Sequence, residues 1–98
     1  VNNFDQEINR DKPVVVEFYT TACSHCKKLA GALNKLSEEK GDDVFFGKCN
    51  IDQEALLQSR FDISAVPTLL FIKNGEIKNR LVGEVHPLII QEEIKKLA

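Results

Sequence analysis

The tightest constraint on the fold lies in residues 14–40, where a run of β-branched and aromatic residues passes directly into an amphipathic helix. Val14-Val15-Val16-Glu17-Phe18-Tyr19, opened by Pro13, does not alternate between apolar and polar positions as a half-solvated strand would. It reads as a strand buried on both faces. After Thr20-Thr21-Ala22, the residues Cys26, Leu29, Ala30, Leu33 and Leu36 recur at i, i+3, i+4, i+7 and i+10. That is one face of a helix, and the pattern ends near Lys40. A strand covered on both faces followed by an amphipathic helix predicts an α/β chain with a central sheet flanked by helices.

The alternation extends in both directions. Asn3 is placed to cap a short first helix in which Phe4 and Ile8 share a face. Gly41-Asp42-Asp43 breaks the long helix, and a second strand is expected over 44–50. Asp52 is the expected cap of a third helix through Leu56, Leu57 and Phe61. Thr68-Leu69-Leu70-Phe71-Ile72 reads as a third strand, and Asn74-Gly75 as a hairpin turn into a fourth over 77–82. Pro87 sits in the first turn of a last helix whose buried stripe is Ile90, Ile94 and Leu97. The order α-β-α-β-α-β-β-α predicts parallel strands joined by right-handed crossovers, then an antiparallel hairpin. A chain of 98 residues holds one core, so residues 1–98 are expected to form a single domain.

Composition narrows the function classes. Thirteen Lys and Arg against fifteen Asp and Glu give a formal charge of -2, which removes the case for a nucleic-acid partner. No apolar run approaches the roughly 20 residues of a bilayer span, so no membrane role is expected. Three cysteines are too few for a disulfide-stapled scaffold, and the number is odd. The chain starts at Val1 and contains no Met, which fits either trimming of an initiator methionine or cleavage of a signal peptide. A cytoplasmic location is the expectation.

The residues that carry chemistry are Cys23-Ser24-His25-Cys26-Lys27, placed where the first strand hands over to the long helix. Cys23 is expected in the first helical turn, where free N–H groups and the positive end of the dipole favour an anion. A thiolate is an anion, and His25 and Lys27 act in the same direction. Cys26 lies one turn further along, within reach of a disulfide and inside the apolar stripe. The two thiols are therefore unequal, Cys23 exposed and nucleophilic, Cys26 shielded. A zinc or iron–sulfur site would need about four ligands, and Cys49 and His86 stand apart from the pair. Two incidental cysteines remain the bland alternative. Cys49 reads as a small buried hydrophobe, and His86, before Pro87, as a capping or solvated residue.

Val15-Val16-Glu17-Phe18-Tyr19, the Cys23–Cys26 motif, Lys48-Cys49-Asn50-Ile51-Asp52, Ala65-Val66-Pro67-Thr68-Leu69-Leu70-Phe71 and Asn74-Gly75 together resemble the thioredoxin family. The match runs from about Phe4 to the C-terminus. The resemblance implies a thioredoxin fold with a mixed sheet, whose first strand is nearly absent here. It implies thiol–disulfide exchange through a redox-active Cys23–Cys26 disulfide with no other cofactor and no metal. It also implies that Pro67 is a cis-proline facing that disulfide, and that Ala22, Val66, Pro67 and Gly83 form the substrate surface. The partners it implies are disulfide-containing proteins and a thioredoxin-reductase-like electron donor. Ala22 stands where the family usually has tryptophan, and Ser24-His25 where it has Gly-Pro. A histidine before the second cysteine is similar to protein disulfide isomerases and periplasmic oxidants, so a more oxidising protein is one alternative to a disulfide reductase. A redox-inert binding module is another.

Glu17 is a carboxylate inside an apolar strand, costly unless paired or protonated. The resemblance implies that it is buried beneath Cys26 and assists proton transfer, with Lys48 as its companion. Read without the family, Glu17 snorkels to water from a strand end and Lys48 is a solvated surface lysine. Ser24, His25 and Lys27 are the expected tuners of the redox potential. A monomer is expected, because Lys48 on an edge strand discourages pairing.

Overall fold

The computed structural model describes residues 11–97, and the expected first helix around Asn3, Phe4 and Ile8 lies outside them. Four strands, β1 (Val14–Tyr19), β2 (Phe45–Asn50), β3 (Thr68–Lys73) and β4 (Glu76–Val82), form one sheet in the order β2-β1-β3-β4. Among the described residues three α-helices accompany them: α1 (Ser24–Lys40), α2 (Ala55–Arg60) and α3 (Pro87–Leu97). A 3-10 turn at Gly41–Asp43 follows α1, and Val44 belongs to the turn into β2 rather than to the strand.

β1 is a central strand, which accounts for its apolar character at every position before Tyr19 except Glu17. Its alternate residues serve two separate cores. Val14, Val16 and Phe18 pack with Cys49, Phe61, Ile63, Leu70 and Ile72 on one face. Val15 faces the other, with Leu29, Leu33 and Leu36 of α1 and Ile90, Ile94 and Leu97 of α3. The predicted helix stripes are the buried ones, with Ala30 only half-buried.

β1 and β2 run parallel, with Glu17 opposite Lys48. β3 corrects the expectation of a third parallel strand: it runs antiparallel to β1, with Phe18 opposite Thr68. The sheet is therefore mixed, and β4 completes it as the antiparallel hairpin partner of β3. Asn74 and Gly75 both have positive φ, 54° and 79°, as a two-residue turn with a right-handed twist requires. The direction of β3 matters for function. It brings the start of β3 and the end of β4 to the sheet end where β1 and β2 finish.

Asp52 is not the cap of α2. That helix begins after Glu54 with no side-chain cap, and the Asp52 carboxylate is used elsewhere. His86 does cap: its Nδ1 accepts from Leu88 N–H at 3.1 Å, and its carbonyl accepts from Ile89. Cys49 is buried and free, as a small core residue, and burial pushes its thiol pKa up.

Candidate active site

Cys23 closes the loop between β1 and α1 and is the N-cap of the helix, one residue earlier than expected. Its backbone is extended, φ −84° and ψ 108°, and its Sγ accepts the Cys26 N–H at 3.1 Å. A sulfur thus occupies the place that a Ser or Asp oxygen takes in most helix caps. The Cys23 carbonyl accepts from Lys27 N–H, opening the helical ladder. No acidic residue lies in the first turn of α1, so nothing within the helix offsets its positive end. Cys23 is half-buried and Cys26 only 2% exposed. Their Cα atoms are 5.2 Å apart and their sulfurs are joined as a disulfide.

Glu17 lies behind this pair and does not snorkel. It is 1% exposed, and its Oε2 makes no hydrogen bond among the described residues. Burial raises its pKa from 4.5 to about 7, against a smaller downward pull from Lys48. Glu17 shares the helix-covered face of β1 with Val15, because side chains two apart point the same way. A cleft of about 170 Å³ opens there, with Glu17, Cys26, Lys27 and Lys48 in its lining. A volume of that size admits water to both the acid and the buried cysteine. Lys48 itself is exposed at the rim.

The loop that delivers Cys23 is held from the end of β2 by residues that the sequence did not single out for this role. Asp52 Oδ2 accepts the Thr21 N–H at 3.1 Å, and Asn50 Nδ2 donates to Thr21 Oγ1 at 3.1 Å. Asn50 Oδ1 in turn accepts from Asp52 N–H, and Ile51 N–H donates to the Tyr19 carbonyl. The Asn-x-Asp spacing after a strand was the available signal, since such residues bond their own turns.

On the other side, the Val66-Pro67 bond is cis and Pro67 is buried, while Val66 packs against the Phe18 core. Gly83 N–H donates to the Pro67 carbonyl at 2.8 Å, fastening the loop after β4 beside it. Gly83 has φ +90°, open to glycine and strained for other residues. Ala22 and Ser24 are exposed. His25, also exposed, meets Glu84 with Nδ1 2.7 Å from Oε1. Glu84 carried no signal in the sequence, being 59 positions from its partner.

Comparison with known proteins agrees with this geometry. The thioredoxin family model matches residues 1–96. The chain belongs to the thioredoxin family. It is 37% identical over 81 residues to a thioredoxin of Alicyclobacillus acidocaldarius, covering 83% of this chain and 77% of that one. It is 38% identical to thioredoxin-1 of Saccharomyces cerevisiae over 95% of this chain and 88% of that one. The mouse mitochondrial thioredoxin is 36% identical, and this chain spans only 56% of its length. The oxidised mitochondrial thioredoxin 3 of S. cerevisiae superposes with a TM-score of 0.86 at 28% identity, covering 97% of this chain and 88% of that one. A thioredoxin fold carrying an intact, disulfide-bonded Cys23–Cys26 pair makes the protein a dithiol–disulfide oxidoreductase. The family does this chemistry with the cysteines themselves. No described helix is long and apolar enough to cross a membrane.

Proposed function

We propose that the protein reduces disulfides in other proteins, with Cys23 as nucleophile and Cys26 as the resolving thiol. The observation that carries this assignment is the position of Cys23 Sγ on the Cys26 N–H at the start of α1, with Cys26 buried behind it. In the reduced protein the Cys23 thiolate attacks a substrate disulfide, one substrate sulfur leaves with its bonding pair, and a mixed disulfide forms. Cys26 gives its proton to the Glu17 carboxylate through the shared cleft and attacks Cys23 Sγ. The second substrate sulfur leaves, the substrate has gained two electrons, and the Cys23–Cys26 bond closes. Lys48 pulls Glu17 toward its ionised form, so the acid stays poised near neutral pH. Ser24, His25 and Lys27 shape the field at Cys23, and Ala22, Val66, Pro67 and Gly83 form the surface for substrate chain.

The more oxidising alternative depends on an uncompensated histidine cation beside Cys23. The Glu84 carboxylate at 2.7 Å supplies a counter-charge, which favours the reductase reading. A reductant needs an electron donor, here a thioredoxin-reductase-like enzyme, and a reducing compartment such as the cytoplasm. Iodoacetamide labelling of the reduced protein, mapped by mass spectrometry, tests the roles of the thiols. Modification at Cys23 ahead of Cys26 is expected, and the reverse order rejects the assignment.

A further inference from the structure

Glu84 has no part in the chemistry above, yet it reaches into the middle of the Cys23–Cys26 motif. We propose that Glu84 is a positioning residue for the dithiol site: it accepts a hydrogen bond from His25 Nδ1–H and leaves Nε2 as the ring nitrogen that exchanges protons with substrate sulfur. The inference deepens the reductase reading and rests on it.

The argument starts from donors and acceptors. An ionised carboxylate only accepts, so a neutral imidazole with Nδ1 at 2.7 Å from Glu84 Oε1 must carry its hydrogen on Nδ1. Glu84 is kept ionised: the hydrogen bond from His25, with the charge of Lys28 acting in the same direction, holds it below the usual carboxylate range. The carboxylate comes from a loop with little freedom. Val82 is paired to Thr68, and Gly83, at φ +90°, donates its N–H to the Pro67 carbonyl. His25 comes from the first turn of α1, which has no acidic residue of its own. The contact therefore joins the helix start that carries Cys23 to the loop after β4. Both side chains are at least half exposed, and such pairs add little to folding stability. Its consequence is for the ring.

The proton transfer balances with solvent water as the source of the proton. When Cys23 attacks, the substrate S–S bond breaks and the leaving sulfur departs as a thiolate. His25, protonated at Nε2 by solvent, gives that proton to the sulfur and returns to its neutral Nδ1–H form. The charged groups around the ring are Glu84 on the loop and Lys27 and Lys28 on α1.

Long-range proton–nitrogen NMR of the His25 ring in the reduced, labelled protein at pH 8 reads the tautomer directly. Nδ1–H is expected in the native protein and Nε2–H in Glu84→Ala. In parallel, Glu84→Ala should lower kcat/KM for a disulfide peptide severalfold, and have no effect in a His25→Ser background. An Nε2–H ring in the native protein, or no change of tautomer in Glu84→Ala, overturns the proposal. An equal loss of kcat/KM without His25 also overturns it, because Glu84 would then act on substrate by itself. Failure of the native protein to reduce the peptide would reject the reductase reading and leave the tautomer result standing.

Discussion

At the scale of single residues, Glu17 carries the largest electrostatic penalty in the site. Its pKa of about 7 in the folded chain exceeds the 4.5 of an exposed glutamate, so the unfolded chain releases this proton first as pH rises. The stability it permits is complete below about pH 4.5 and is lost progressively up to about pH 7. The gap between those values corresponds to roughly 3 kcal/mol. Glu17→Gln should therefore raise the urea midpoint at pH 8 and leave it nearly unchanged at pH 4. The same variant should slow resolution of mixed disulfides more than their formation, as single-turnover kinetics would show. Equal midpoint shifts at both pH values would contradict the buried-acid account. His25 makes a second residue-scale prediction. Replacing it by proline leaves the Glu84 carboxylate without its partner, destabilises the Cys23 thiolate, and so lowers the reduction potential. Proline is tolerated there, because an N–H in the first helical turn lacks an intrahelical acceptor. Glutathione equilibration read by thiol trapping measures the shift, and an unchanged or higher potential rejects histidine tuning.

At the scale of elements, α1 begins on the sulfur to which we assign the attack. In the assignment proposed above, the Cys23 sulfur that caps the helix also attacks substrate, so helix stability and thiolate stability draw on one set of free N–H groups. Cys23→Ser and Cys23→Ala both lack the disulfide, and they differ in the cap alone. The serine variant should be the more stable by about 1 kcal/mol, measured by urea unfolding, since a hydroxyl oxygen replaces the sulfur and a methyl group does not. Equal stabilities would mean that the sulfur contact does not act as a cap. The helix and its stripe were legible in the apolar spacing, because periodicity records which face is buried. Asp52 was misplaced for a related reason. A carboxylate near a helix start fits a cap locally, and only the folded chain offers it the Thr21 amide instead.

At the scale of the whole molecule, β2 is the last strand of the sheet on its side among the described residues. Lys48 is exposed on that strand, and a charge on an edge works against addition of another chain. The protein should sediment as a monomer of 11.0 kDa with no concentration dependence. A reversible rise toward twice that mass would show that the edge is a pairing surface.

The sequence by itself determined the kinds of element, their order and the inequality of the two thiols. Each of these follows from spacing along the chain: a buried run, a helical stripe, and a cysteine ahead of that stripe with another inside it. Only the tertiary structure decided that β3 runs antiparallel to β1, which places Pro67, Gly83 and Glu84 at the end of the sheet where Cys23 sits. Burial patterns are the same for a strand read in either direction, so periodicity carries no information on its sense. Nor does spacing reveal a hydrogen bond between a histidine in the helix and a carboxylate 59 residues later, because that contact exists only once the sheet has brought the two loops together.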